Sequence, residues 1–241
     1  MVSAPPEDAD VETASAAYAG RFHSPVGEWM LATQLEITLD LLKDLEARSI
    51  LDVGGGHGQV APALANRGHR VSVLGSSPLA VAEALRPHLD SGRVGFLTGD
   101  LRNPPVESKS FDVVLSYRLV AHARDLQALV TGLTRSARLA VIVDYATTRS
   151  FNAASDFLFA AKRRVEGNTR PFLVMQDAEV VDLFRQNGFR LRERRPQFFW
   201  PMALHRALKA PALSRGLEAT AFGLGLRALF GSPVIARFDR V

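Results

Sequence analysis

The 241-residue chain contains no cysteine. Disulfides, thiolate nucleophiles and cysteine-ligated zinc are therefore excluded, and no metal site is expected. No apolar run approaches the ~20 residues needed to span a bilayer. The first twenty residues, MVSAPPEDADVETASAAYAG, lack the apolar core of a secretory leader. A cytoplasmic protein is the expectation. Lysine is nearly absent, so arginine carries most of the positive charge. Residues 1–100 hold 7 Lys+Arg against 13 Asp+Glu and residues 101–241 hold 22 against 12, so the halves carry −6 and +10. Such a split fits contact with anionic partners, and it equally fits an arginine-rich composition.

What the chain does have is a hydrophobic content of 47%, enough for one large domain with a full core. Residues 1–17, rich in Ala, Pro, Asp and Glu, read as a flexible tail ahead of a single domain at 18–241. Leu31, Leu35, Leu39, Leu42 and Leu45 recur at helical spacing and predict an amphipathic helix over 26–47. Short apolar strands then alternate with helices: strands at 49–53, 70–74, 93–97, 111–116 and 139–144, helices at 59–66, 78–88 and 125–136. That rhythm specifies a doubly wound α/β domain with a mostly parallel sheet, seven-stranded once 189–199 and the final SPVIARFDR are added. Two segments exceed this minimal pattern: 145–175, read as a lid insertion, and 196–230, read as a helical substrate cap with Leu213, Leu217 and Leu224 at helical spacing.

The stretch ILDVGGGHGQV at 50–60 places Gly54, Gly56 and Gly58 between a strand and a helix. Glycine suits a turn that needs positive φ or close approach of a ligand to the backbone. A dinucleotide fingerprint requires its third glycine at position 59, which is Gln59, and no Lys-Ser/Thr follows for a P-loop. The G-x-G-x-G spacing after Asp52 remains.

Here the chain resembles the class I S-adenosylmethionine-dependent methyltransferases, across roughly residues 18–200. Asp52 and the three glycines match the family's first motif, FLTGDLRNPP matches the loop after the third strand, and FDVVLSYRLVAHARD matches the fourth strand and its loop. The resemblance implies S-adenosylmethionine as cofactor, with Asp52 near the methionine ammonium, Asp100 and Leu101 at the adenine, and Ser116 and Tyr117 beside the cofactor. It also implies that the N-terminal YAGRF closes over the site, with Arg21 available to the methionine carboxylate. One member of the pattern is missing. The acid that holds the ribose falls on Gly75, and Ser76 or Ser77 is the nearest substitute.

Methyl transfer to oxygen needs a base only for a poorly ionised nucleophile, and His122, at the carboxyl edge of the sheet, is the base candidate. The chain carries SYRL where base-modifying amino methyltransferases carry Asn/Asp-Pro-Pro-aromatic, so nucleic acid is a minor alternative. The expected function is methylation of a small, hydrophobic or aromatic acceptor, O-directed, with peripheral membrane contact open. A noncatalytic cofactor-binding partner protein on the same fold is the alternative. The cap's Phe198, Phe199 and Trp200 together with Arg195 and Arg206 suit an apolar acceptor bearing an acidic group.

Overall fold

The computed structural model describes residues 8–150 and 173–241. Five apolar runs form parallel strands: β1 (Ser49–Val53), β2 (Arg70–Gly75), β3 (Val94–Thr98), β4 (Phe111–Ser116) and β5 (Ala137–Thr147). Ile50 lies opposite Val71 on one side and Val113 on the other, and all three are buried. Strands buried on both faces need apolar residues at every position, which is why these segments read as continuous runs. The last strand, β8 (Val234–Arg240), pairs antiparallel with β5, and β7 (Phe189–Pro196) pairs antiparallel with β8. The path is β3-β2-β1-β4-β5-β8-β7, the expected seven strands, and the two-residue β6 (Val174–Met175) adds a parallel pair to the end of β5.

Alternation splits the core in two. Leu51 and Val53 face α6 (Leu126–Ser136) and α7 (Asp177–Gln186), while Ile50 faces α3 (Pro25–Leu42) and α4 (Ala61–Ala65). Phe184 of α7 stacks on Phe238 of β8 with centroids 3.9 Å apart, fixing the helix to the antiparallel end of the sheet. On the other face Arg237 of β8 bonds the Leu41 carbonyl at 2.8 Å and ties that strand to the end of α3. Asp52 shares the parity of Ile50, so the last carboxylate of β1 emerges on the α3 side.

Several elements differ from the sequence expectation for visible reasons. Residues 8–17, placed in the tail, include α1 (Ala9–Thr13) and run into α2 (Ala16–Ala19); Ala9 and Asp10 are 3% and 2% exposed. The expected helix 78–88 begins only at α5 (Arg86–Asp90), because the chain before it is held on the glycine loop by a bond from Ala82 N–H to the Gly56 carbonyl (2.8 Å). In α3 the leucine stripe is only partly buried, and the innermost positions include Gln34 and Thr38. The segment 145–175 starts as the end of β5, and its residues 151–172, with Phe157, Arg163 and Phe172, lie outside the described residues. The cap is three helices, α8 (Met202–Leu208), α9 (Pro211–Gly223) and α10 (Leu226–Phe230), with positive φ at Lys209 and Gly225 breaking the run. Among the described residues no helix is long and apolar enough to cross a membrane.

Candidate functional site

At the carboxyl end of β1 the chain turns through Gly54 and Gly58, both with positive φ (77° and 75°). The close approach at Gly56 serves packing: a Cβ there would overlap the Ala80 carbonyl oxygen, and a Cβ on Gly55 would overlap the Asp52 carboxylate. Asp52 is thus pressed beneath its own loop, 2% exposed, and its Oδ1 has no hydrogen-bond partner. Burial pushes its carboxyl up to about 7.

Asp52 forms one wall of a cleft between the glycine loop, α3 and the end of β4. The loop contributes Gly54, Gly55, His57, Gln59 and Val60; α1 contributes Thr13, α3 contributes Gln34, and the β4 end contributes Tyr117 and Arg118. The Tyr117 hydroxyl is 2.7 Å from Thr38 Oγ1, and burial raises its pKa. Arg118 has φ 60°, a left-handed conformation that costs a non-glycine residue about 1–3 kcal/mol. Asp144, at the carboxyl end of β5, holds it there by accepting the Arg118 N–H at 2.5 Å. The result aims the guanidinium at Gln34 Oε1 (3.2 Å) and across the Phe22 ring (4.4 Å).

The YAGRF segment closes on this loop. Tyr18 and Phe22 meet the His57 ring edge-on at 5.6 and 6.0 Å. Burial, then the Arg118 charge, pull His57 down to about 4, so its imidazole is neutral at physiological pH. The Arg21 side chain lies outside the described residues.

The structure does not bring all the expected residues to the cleft. Ser116 is fully buried and its hydroxyl donates to the Val53 carbonyl (3.1 Å), a tie between β4 and β1. Leu101 is likewise inside the core. Asp100 is held by Arg102 through Nε and Nη2, both at 3.1 Å, which keeps its carboxyl below the usual range. His122 sits in the turn Val120–His122, outside the cleft lining. Ser76 faces a carboxylate instead of a ligand: its N–H and its hydroxyl both donate to Asp10, each at 2.6 Å. A carboxylate delivered by α1 thus lies at the strand end that Gly75 closes. Gln34, His57 and Arg118 line the cleft and were missed by sequence reasoning, as was Asp10, which lies behind it against Ser76. Only Arg118 carried a signal, as a charge directly after the fourth strand.

Gly75 itself has no room for an acid. A Cβ would stand 2.7 Å from Phe96 Cζ and 3.2 Å from Ala80 Cβ. Gly75→Asp is expected to lower the melting temperature by roughly 2–10 °C, as overpacking by about 1–3 kcal/mol would, and not to tighten ligand binding. Thermal unfolding and calorimetry on the variant check both.

This geometry stands on a stretch with known relatives. Residues 50–139, which run from β1 into β5, match the family model described as a methyltransferase domain. That stretch is similar to a methyltransferase domain. No curated protein matches the chain in sequence. Among solved structures, the methyltransferase fold recurs in geranyl diphosphate methyltransferase in complex with S-adenosylmethionine, at TM-score 0.65 and 18% identity over 94% of this chain and 92% of that one. It recurs in magnesium protoporphyrin IX methyltransferase from Synechocystis with bound S-adenosylhomocysteine, at TM-score 0.64 and 15% identity over 95% and 97%. The cyclase SpnF has it too, at TM-score 0.59 and 17% identity over 87% and 80%. A fold shared by methyltransferases and a cyclase does not by itself fix a reaction.

Proposed function

We propose that the chain transfers a methyl group from S-adenosylmethionine to an oxygen of a small, hydrophobic or aromatic acceptor. One observation carries the cofactor reading: a buried carboxylate, Asp52, whose Oδ1 lacks a donor at the edge of a cleft rich in complementary groups. An amino acid end fits this donor set. Its ammonium would satisfy Asp52, and its carboxylate would find the Arg118 guanidinium and the Gln34 amide, whose Nε2 is also buried without a partner. The nucleoside would lie toward β2, where Asp10 offers a carboxylate to the ribose hydroxyls in place of the acid that Gly75 lacks.

When bound, the cofactor supplies an activated methyl group on a sulfonium. The chain's part is to orient it and exclude water, and the edge-on rings of Tyr18, Phe22 and His57 form an apolar cover for that purpose. His122 remains the base candidate of this reading. The acceptor class is supported by the aromatic character of the cap side, where Trp29, Phe198 and His205 pack together, and by Arg206 lying 5.6 Å from the Phe22 ring. It also agrees with the apolar, acid-bearing acceptors named for the geranyl diphosphate and protoporphyrin enzymes.

Calorimetry with S-adenosylhomocysteine tests the cofactor reading. The wild-type chain is expected to bind, and Gly56→Val is expected to lose binding because its side chain drives the loop off Ala80. Absence of binding by the wild type would sink the proposal. Incubation with labelled S-adenosylmethionine and a metabolite extract then separates transfer from mere binding.

A further inference from the structure

In the cap, α9 buries polar side chains and leaves large apolar ones exposed. Its buried stripe is Ser214, Glu218 and Ala221, while Leu213 (51% exposed) and Phe222 (63%) face outward. The exposure continues through Leu224 (69%), Leu229 (51%) and Phe230 (42%) into α10. The arrangement is explained by Glu218, which accepts the N–H groups of Phe199 and Trp200 and lies against His205 Nε2, all at 3.0 Å. Three polar contacts hold the helix through Glu218, and Leu213 and Phe222, on opposite flanks of the buried stripe, are left to solvent. Burying such side chains is favourable and leaving them wet is not.

Charge identifies the occupant. Between residues 197 and 233 the one acid is Glu218, which is buried, whereas Lys209 and Arg215 are exposed and Arg227 lies 4.5 Å from the Phe222 ring. A surface of bulky apolar side chains rimmed by cations, with no exposed carboxylate, complements headgroup phosphates above an acyl layer. We propose that α9 and α10 dock the protein on the surface of an anionic membrane. The opposite side of the cap reaches the candidate site, since Arg206 of α8 lies over Phe22 and Phe22 meets His57.

The test uses the full chain and two vesicle preparations, phosphatidylcholine alone and phosphatidylcholine with phosphatidylglycerol. Co-sedimentation with the anionic vesicles is expected, weakening as salt rises, with little on the neutral ones. The double variant Phe222→Ser/Leu224→Ser changes only exposed positions and should reduce vesicle binding by about tenfold or more. Its binding of S-adenosylhomocysteine should be unchanged, which reports an intact fold and keeps this result separate from the cofactor reading. Vesicle binding equal in wild type and double variant would overturn the proposal, as would equal binding to both preparations or binding to neither. A dimer in solution that the double variant dissociates, with no vesicle binding, would assign the face to a second copy of the chain instead.

Discussion

Replacing Asp52 by Asn is expected to weaken S-adenosylhomocysteine binding by at least about 100-fold and, at the same time, to raise the stability of the ligand-free protein at pH 8. The two effects share one cause. Burial lifts the carboxyl to about 7, so at pH 8 the folded protein carries a buried anion whose Oδ1 has no donor. The sign follows from linkage. A carboxyl whose folded pKa exceeds its unfolded value contributes stability that is complete below about 3.9 and is lost as pH rises through about 7. Asn carries no charge and avoids that loss. Each kcal/mol recovered raises the melting temperature of a domain of this size by about 2–4 °C. The gain should therefore be full at pH 8, shrink as pH falls below about 7, and vanish only below about 3.9, where the unfolded carboxyl is protonated as well. Ligand binding runs the opposite way, because an ammonium needs the ionised form, so wild-type affinity should fall as pH drops through about 7. Removing a charge-assisted bond and leaving a buried cation unpaired costs about 3 kcal/mol or more. A variant that binds as tightly as wild type would place the ammonium elsewhere.

How much of this was legible in the sequence depends on the range over which each feature is determined. The parallel strands were readable because Val113–Leu115 and Ala140–Val143 are buried on both faces and so are apolar without interruption. The glycine loop was readable because its positive φ angles are a local demand. Asp10 was not, since it acts on Ser76 from 66 positions away and sits in a segment whose composition resembles a tail. The cap shows a different limit. Helical spacing of Leu213, Leu217 and Leu224 predicted a helix there, but Glu218, with partners on another element, set which side it buries, and Leu213 and Leu224 are left exposed. Residues 78–85 read as helix by propensity, yet the tertiary bond to the Gly56 carbonyl holds them in turns.

The ribose position offers the sharpest test of the cofactor geometry. Asp10→Asn is expected to weaken S-adenosylhomocysteine binding by about 10- to 100-fold, the worth of a charged hydrogen bond of ~1.5–3 kcal/mol. Three observations support that sign. The Asp10 carboxylate is fixed by the Ser76 N–H and hydroxyl at the end of β2, directly after Gly75. Each oxygen accepts one of those bonds and keeps further acceptor capacity. Asp10 also touches the cleft through both its neighbours: Thr13, whose hydroxyl donates to the Asp10 carbonyl at 3.1 Å, lines it, and so does Gly54, where a Cβ would lie 3.7 Å from Asp10 Cβ. Burial raises the Asp10 carboxyl against the opposing pull of the Ser76 bonds. A purely structural role for Asp10 would weaken every ligand alike. The discriminating measurement is therefore a cycle: wild type and Asp10→Asn, each titrated with S-adenosylhomocysteine and with its 2′,3′-dideoxy analogue. The penalty should be present with the diol and absent without it. Tighter binding by Asp10→Asn would mean that α1 competes for the nucleoside position, and an equal penalty with both ligands would confine Asp10 to holding the helix in place.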